Sequence, residues 1–174
     1  MPLQNPLLSL FDDPDLCDRI RRKLPELFQI AEIHTSRAGG TGMEAGTLRE
    51  QILIALLVFK FGEENVKTEF PITHPETDVE VLGRNIAIKT KTGLDYSGVK
   101  VGWTVDRTKV LEFAAAYQPS ADILLARIKW GHEGGLWLVT HEAQVEALEE
   151  MGHDDYLKLP TQATNPRGVE LSTR

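Results

Sequence analysis

A strand–turn–strand segment near the middle of the chain brings an aspartate and a lysine within reach of each other. Residues 78–82 and 86–92 flank the turn Gly83-Arg84-Asn85 and predict a β-hairpin. Asp78 opens the first strand, and Lys89 lies within the second. Because paired strands lie side by side, we expect the carboxylate and the ammonium group to lie close together.

An acid and a lysine in this arrangement suit the hydrolysis of a phosphodiester. Carboxylate oxygens bind Mg²⁺, and the metal polarises the scissile phosphate and lowers the pKa of a bound water. An ammonium group can orient that water or offset developing charge. A second carboxylate two residues before the lysine would complete the metal site, because alternate side chains leave the same face of a strand. In this chain that position is Ala87.

The segment resembles the PD-(D/E)XK nuclease superfamily, in which an Asp opens one strand and an acid–any–Lys triplet lies on the next. Asp78 matches the first acid, and Lys89 matches the lysine. Residues 86–90, Ile-Ala-Ile-Lys-Thr, resemble the triplet strand with alanine in place of the acid. The superfamily's leading proline is not adjacent to Asp78, because Pro75-Glu76-Thr77 precedes it. The resemblance implies a type II restriction endonuclease that cuts double-stranded DNA at a short site with Mg²⁺.

The resemblance also assigns roles to further residues. Asp78 and position 87 would hold the metal, and Lys89 would orient the attacking water. Many members carry a Glu on an earlier helix, and Glu50 matches it in chain order as an accessory acid. The wider order of helix, hairpin, strand and helix supports the resemblance over residues 47–117.

Ala87 has two interpretations. The favoured one is a replacement of glutamate by alanine that inactivates the enzyme. The other is a natural alanine, with the second acid supplied by a neighbouring helix, from Glu50 or Glu112. A shifted register, with Lys91 catalytic and Lys89 at the acid position, is less favoured because it puts a lysine where the metal belongs.

The elements that position these residues predict one α/β nuclease domain over residues 1–174. A helix begins at Asp13 and is kinked or restarted at Pro25. Thr47 and Glu50 form a capping box that starts a buried helix. The resulting expectation is a mixed β-sheet flanked by helices, like that of restriction endonucleases. Helices are predicted over residues 13–31, 47–61, 107–117 and 142–151, strands over 66–70, 78–82, 86–92, 99–105, 122–130 and 136–140, and irregular chain over 36–46 and after 156.

Charge is distributed unevenly along the chain. The net charge is −7, yet the stretch from Arg84 to Lys109 has an excess of basic residues that could face a phosphate backbone. A two-fold dimer would match a palindromic site, so we expect a homodimer on DNA. Three tryptophans, Trp103, Trp130 and Trp137, are expected in the core or at an interface. The residues expected to contact DNA are Arg37, Lys91, Lys100, Arg107, Lys109 and Arg167.

Other classes of protein are disfavoured. Cys17 is the only cysteine, so an internal disulfide and a cysteine zinc site are excluded. The longest apolar run is too short for a bilayer, and the N-terminus lacks a signal-peptide pattern, so we expect a cytoplasmic protein without membrane contact. Two further functions stay open: a structure-specific nuclease like a Holliday-junction resolvase, and a catalytically dead DNA-binding module of the same fold.

Overall fold

A computed structural model describes residues 5–37, 39, 42–70, 76–92, 98–104, 106–128, 134–161 and 168–172. Short 3-10 helices cover Pro6–Leu10 and Glu63–Asn65. The α-helices are α1 (Pro14–Arg37), α2 (Gly42–Phe61), α3 (Arg107–Ala116), α4 (His141–Met151) and α5 (His153–Tyr156). The strands are β1 (Val66–Lys67), β2 (Val79–Val81), β3 (Arg84–Thr92), β4 (Lys100–Gly102), β5 (Asp122–Ile128), β6 (Gly135–Val139), β7 (Leu157–Lys158) and β8 (Val169–Leu171).

The strands form two sheets. A main sheet has the order β1-β2-β3-β5-β6, in which β3 and β5 are parallel and the other pairs are antiparallel. A second, antiparallel sheet has the order β4-β8-β7. The predicted fold class, a mixed sheet flanked by helices, is therefore confirmed. No helix within the described ranges is long and apolar enough to cross a bilayer.

Apolar residues cover both faces of the main sheet. On one face, α1 and α2 pack Phe28, Leu53 and Leu57 against Ile86 and Ile88 of β3. The opposite face carries a smaller cluster centred on β3 and β5, which the second sheet helps to cover. Its buried members are Ala87, Val99, Ala121, Ile123 and Leu125. Burial on both faces explains why β3 and β5 are nearly continuous apolar runs.

The first two helices differ from their predictions. The Asp13 carboxylate caps α1 by accepting a hydrogen bond from the Leu16 backbone N–H at 3.0 Å, as expected. The helix then continues through Pro25 without a restart, because Leu24 and Phe28 on either side are buried in the core. The predicted capping box was wrong: α2 begins at Gly42, so Thr47 lies inside the helix.

The hairpin and the tail were also predicted only in part. The turn consists of Leu82 and Gly83, whose φ angles of 51° and 79° match a two-residue type I′ turn. Consequently β3 begins at Arg84, two residues earlier than predicted, and Arg84 belongs to the strand and not to the turn. Strand 99–105 is shortened to β4 and belongs to the second sheet. Within the described part of the tail, the short strands β7 and β8 complete that sheet, which the prediction of an irregular tail did not include.

Arg84 belongs to a charge network and not to a phosphate-facing surface. Its guanidinium group donates to both carboxylate oxygens of Asp122, at 2.8 and 2.9 Å, and to Glu142 at 2.9 Å. Asp122 is 1% exposed and also accepts from the Asn5 side chain and the His141 backbone. These bonds join β3, β5 and the start of α4.

Replacing Asp122 by alanine is expected to lower the free energy of unfolding by about 3–5 kcal/mol, because it leaves buried donors without their acceptor. Burial alone would raise the pKa of Asp122, but hydrogen bonds from Arg84, His141 and Asn5 outweigh it and lower that pKa. The network's contribution is therefore complete above the ordinary carboxyl pKa of about 4 and is lost as the pH falls through the lowered value.

Urea unfolding at neutral and acidic pH measures this effect. Glu80→Ala is the matched control, because the ion pair of Glu80 with Lys67 is exposed and is worth about 0–1 kcal/mol. Equal losses in the two variants would contradict the assignment of Asp122 as a buried anchor.

Candidate active site

Asp78 lies immediately before β2 begins and is held by the backbone of β3. Its backbone N–H donates to the Ile86 carbonyl at 2.9 Å. Its Oδ2 accepts a hydrogen bond from the Ile88 N–H at 2.6 Å. The carboxylate thus replaces the backbone acceptor that a longer β2 would have supplied. This contact fixes the orientation of the Asp78 side chain beside the middle of β3.

Lys89 lies on β3, between β2 and β5 in the main sheet. It is therefore not an edge-strand lysine that prevents aggregation. Its positive charge acts to lower the pKa of three carboxyl groups, those of Glu50, Glu76 and Asp78. Lys89 thus acts electrostatically on one acid of α2 and on two acids that precede β2.

Glu50 is the acid on α2. Helical spacing puts it on the same face as Leu53 and Leu57, which are buried against the main sheet. Since the helix begins well before Thr47, Glu50 is not a capping acid, and its orientation toward the sheet needs another explanation. Its electrostatic contact with Asp78 and Lys89 supplies one.

Partial burial has a clear electrostatic effect on these acids. It raises the pKa of Asp78, although the hydrogen bond from Ile88 and the charge of Lys89 act against it. Burial also raises the pKa of Glu50, and the negative charge of Asp78 raises it further. A bound cation would stabilise the ionised forms of both carboxyl groups. Carboxyl groups with shifted pKa values are often found at functional sites.

The donor set fits a hard divalent cation. Asp78 and Glu50 offer carboxylate oxygens, the ligands that Mg²⁺ prefers. Among the described residues no cluster of three or more His, Cys, Asp or Glu side chains is already arranged around one point. A cation here would therefore take few protein ligands and complete its shell with water and substrate, which is usual for Mg²⁺.

Ala87 lies beside Asp78, because the strand register pairs Val79 with Ile86. Ala87 is 4% exposed and belongs to the apolar cluster with Ile123 and Val99. A glutamate here would have to enter that cluster. This environment favours the interpretation in which alanine is natural and another residue supplies the second acid.

Glu112 and Lys91 fit the site less well than Glu50 and Lys89 do. Glu112 is exposed on α3 and is not among the charges that shift the pKa of Asp78. Lys91 does not act on the three acids in the way that Lys89 does. It lies instead beside Gly98, where an added methyl carbon would be 3.6 Å from the Lys91 Nζ. The geometry thus favours Lys89 over the shifted register.

Glu76 was missed by the sequence analysis. It is partly buried, and its Oε2 accepts a hydrogen bond from the Ser120 hydroxyl at 2.5 Å. Burial raises the pKa of Glu76, while Ser120 and Lys89 act to lower it. The available signal was its spacing: Glu76 lies two residues before Asp78, so an extended chain directs both side chains the same way.

The residues expected to contact DNA lie on several elements. Arg107 and Lys109 are exposed in the first turn of α3, and Arg37 is exposed at the end of α1. The Lys100 ammonium lies 4.5 Å from the centre of the Trp103 ring. Trp103 is 64% exposed, so it is not a core residue. Trp130 and Arg167 lie outside the described residues.

Similarity to known proteins identifies the class. The chain resembles a solved structure titled "Restriction endonuclease in complex with substrate DNA", with a TM-score of 0.90 and 48% sequence identity. The match covers 97% of this chain and 81% of the other. The fold described above is thus that of a type II restriction endonuclease, as the sequence predicted.

The family follows from a second comparison. The family model described as "Restriction endonuclease ThaI" matches residues 10–174, so the chain belongs to the ThaI restriction endonuclease family. No curated protein matches the chain significantly.

Proposed function

We propose that this protein hydrolyses phosphodiester bonds of double-stranded DNA at a short specific site, with Mg²⁺ as cofactor. One observation carries the proposal: the charges of Asp78 and Lys89 both act on Glu50, and the Ile88 N–H fixes the Asp78 carboxylate beside β3. The similar restriction endonuclease was solved with substrate DNA, which supports DNA as the ligand here.

Asp78 and Glu50 would hold the metal. When bound, Mg²⁺ supplies polarisation of the scissile phosphate and a more acidic water. Asp78 presents its carboxylate in a fixed orientation, because the Ile88 N–H holds one oxygen. Lys89 orients the attacking water and offsets the negative charge that develops on the phosphate. Glu50 and Lys89 lie on packed elements and Asp78 is held by β3, so these side chains need little further ordering when the substrate binds.

We further propose that the chain is active as it stands. Ala87 is packed among apolar side chains, whereas Glu50 lies close enough to Asp78 for the Asp78 charge to raise the pKa of Glu50. Glu50 therefore takes the role of the second acid. The inactivated-variant interpretation requires a glutamate at position 87 instead, and the two interpretations predict opposite effects of substitutions at these two positions.

DNA would contact a surface formed by β4 and the start of α3. Lys100, Arg107 and Lys109 supply positive charge for phosphates. Trp103 adds an exposed ring beside Lys100, a combination that suits sugar or base contacts. We propose that two copies bind a palindromic site, one active site for each strand.

Cleavage of plasmid DNA tests this function. The wild-type protein with Mg²⁺ is expected to give discrete fragments whose ends share one short sequence, and EDTA is expected to abolish cutting. Asp78→Asn is the matched inactive control, because it removes the charge and keeps the size of the side chain. Binding without cutting would favour the DNA-binding module, and cutting only at four-way junctions would favour a resolvase.

A further inference from the structure

Arg127 lies on the same face of the main sheet as Lys89. Alternate side chains of a strand leave the same face, so Lys89 and Lys91 share the face of Ala87. Arg127 on β5 is the direct partner of Lys91 in the parallel pairing of β3 with β5. Arg127 alternates with Leu125, which is buried in the same cluster as Ala87. Three basic residues therefore follow one another across this face, beginning at the candidate active site.

The guanidinium group of Arg127 is placed against an aromatic ring. Its Cζ lies 5.3 Å from the centre of the Trp137 ring, which is the geometry of a cation–π contact. The ring fits there because Gly135, the strand partner of Arg127 on β6, has no side chain. A methyl group added at Gly135 would overlap the Trp137 ring. Arg127 and Trp137 are both only partly buried, so the pair reaches the protein surface.

Arg127 is near enough to Lys89 to contact the same short stretch of DNA. Two residues along a strand span about 6.6 Å and neighbouring strands lie about 4.8 Å apart, so the Cα atoms of Lys89 and Arg127 are separated by about 8 Å. This distance corresponds to roughly two base-pair steps of about 3.4 Å each. Lys91, beside Arg127, extends to Gly98, two residues before β4. Arg127 thus adjoins the surface of β4 and α3 that we propose to contact DNA.

A guanidinium group stacked on a ring suits the reading of a base. Lys100, Arg107 and Lys109 already supply positive charge for phosphates, and such contacts carry no sequence information. Arginine presents a rigid planar fork, and stacking on an aromatic ring orients that fork. The fork matches the O6 and N7 acceptors of guanine in the major groove, which is the commonest specific contact between a side chain and a base.

We propose that Arg127, oriented by Trp137, reads a guanine within about two base pairs of the cut. The inference rests on the proposed function, because it assumes cleavage of a specific DNA site beside Lys89. Trp137 is then a positioning residue, since it acts on DNA only through Arg127. Arg127 was not among the residues expected from the sequence to contact DNA, and Trp137 was expected in the core or at an interface.

Binding of DNA duplexes that carry the cleavage site tests this role, with Ca²⁺ in place of Mg²⁺ to prevent cutting. The site is first read from the fragment ends that the wild-type protein produces. Each guanine within about two base pairs of the cut is then replaced by 7-deazaguanine, which lacks the N7 acceptor. At one such guanine the replacement is expected to weaken wild-type binding roughly tenfold to a hundredfold, the usual loss for one hydrogen bond to a charged group. In Arg127→Met the same replacement is expected to change nothing.

Arg19→Met is the matched control, because Arg19 lies over the Phe59 ring at 5.4 Å but belongs to α1, on the other face of the main sheet. It is expected to keep the full wild-type effect of 7-deazaguanine. Gly135→Ala displaces the Trp137 ring and keeps Arg127, so it is expected to reduce that effect without abolishing it.

Thermal unfolding of each variant excludes loss of the fold. Arg127→Lys is the second variant should Arg127→Met not fold, because lysine keeps the charge but lacks the planar fork. It is expected to lose most of the effect of 7-deazaguanine.

Three outcomes would overturn the proposal while leaving the proposed function intact. One is a cleavage site with no guanine within about two base pairs of the cut. Another is a folded Arg127→Met protein that keeps the full effect of 7-deazaguanine, which would make Arg127 only a structural partner of Trp137. The third is an equal loss of affinity for all duplexes together with a weaker salt dependence, the signature of a phosphate contact. A wild-type protein that cuts no DNA would instead contradict the proposed function itself.

Discussion

Lys89→Ala is expected to reduce DNA cleavage by about a hundredfold to a thousandfold, the usual effect of removing one preorganised group that stabilises developing charge. The charge of Lys89 acts on Glu50, Glu76 and Asp78, and none of these acids can supply a positive charge in its place. DNA binding should change little, because the proposed binding surface on β4 and α3 is intact.

Single-turnover cleavage and electrophoretic binding with Ca²⁺, measured on the same preparations, separate the two effects. Lys67→Ala is the control for loss of a positive charge, since Lys67 is exposed and pairs with Glu80 away from the site. Cleavage at the wild-type rate by Lys89→Ala would remove Lys89 from the mechanism. Equal losses of binding and cleavage would make it a phosphate contact only.

The central part of the candidate site could be proposed from the sequence because it is local. The hairpin brings Asp78 and Lys89 together over a short stretch of chain, and alternation along a strand then fixes which side chains share a face. The turn was predicted one residue too late, because its composition suggested Gly83-Arg84-Asn85. In the structure Arg84 begins β3 and pairs with Asp122. The error did not affect the predicted proximity of Asp78 and Lys89, because both residues lie outside the turn, one on each side of it.

Contacts between distant segments were harder to predict. Arg84 and Asp122 bond across 38 positions, and Ser120 and Glu76 across 44. No local periodicity signals such pairs. The second sheet was missed for the same reason, because β7 and β8 are short strands that are stabilised by pairing and burial rather than by their own sequence.

Glu50 illustrates a competing local pattern. Thr47 and Glu50 have the spacing of a capping box, which gave Glu50 a complete structural explanation. The residues Met43-Glu44-Ala45 are good helix formers, and Glu44 in the first turn interacts favourably with the helix dipole. The helix therefore begins earlier than predicted, and Glu50 is not a capping residue. Its position is explained only by residues that are distant in the sequence, such as Asp78 and Lys89.

The identity of the second acid can be decided by two opposite substitutions. Glu50→Gln is expected to lower Mg²⁺ affinity by more than the roughly tenfold to hundredfold that loss of an outer partner costs, and to slow cleavage accordingly. Ala87→Glu is expected to give no increase in cleavage. It should also lower the free energy of unfolding by about 1–3 kcal/mol from overpacking alone, because Ala87 is packed against Ile123 and Val99.

The pH dependence distinguishes Glu50 from an ordinary surface acid. Burial and the charge of Asp78 raise the pKa of Glu50, so metal binding must displace its proton at a pH where an exposed carboxyl is already ionised. As the pH falls, wild-type Mg²⁺ affinity is therefore expected to decline earlier than it would with unperturbed acids. In Glu50→Gln that part of the decline should disappear, leaving only the part due to Asp78.

Calorimetry with Mg²⁺ across pH, together with cleavage and unfolding of the same variants, gives the answer. A large gain of site-specific cleavage in Ala87→Glu would show that position 87 lacks its acid and that the wild-type chain is an inactivated variant. The register of the site would then be right and the role of Glu50 wrong. Weaker metal binding in Glu50→Gln, with a destabilised and no more active Ala87→Glu, would instead mean that α2 supplies the acid that β3 lacks. The apolar packing around Ala87 and the electrostatic interaction of Glu50 with Asp78 make this second result the expected one.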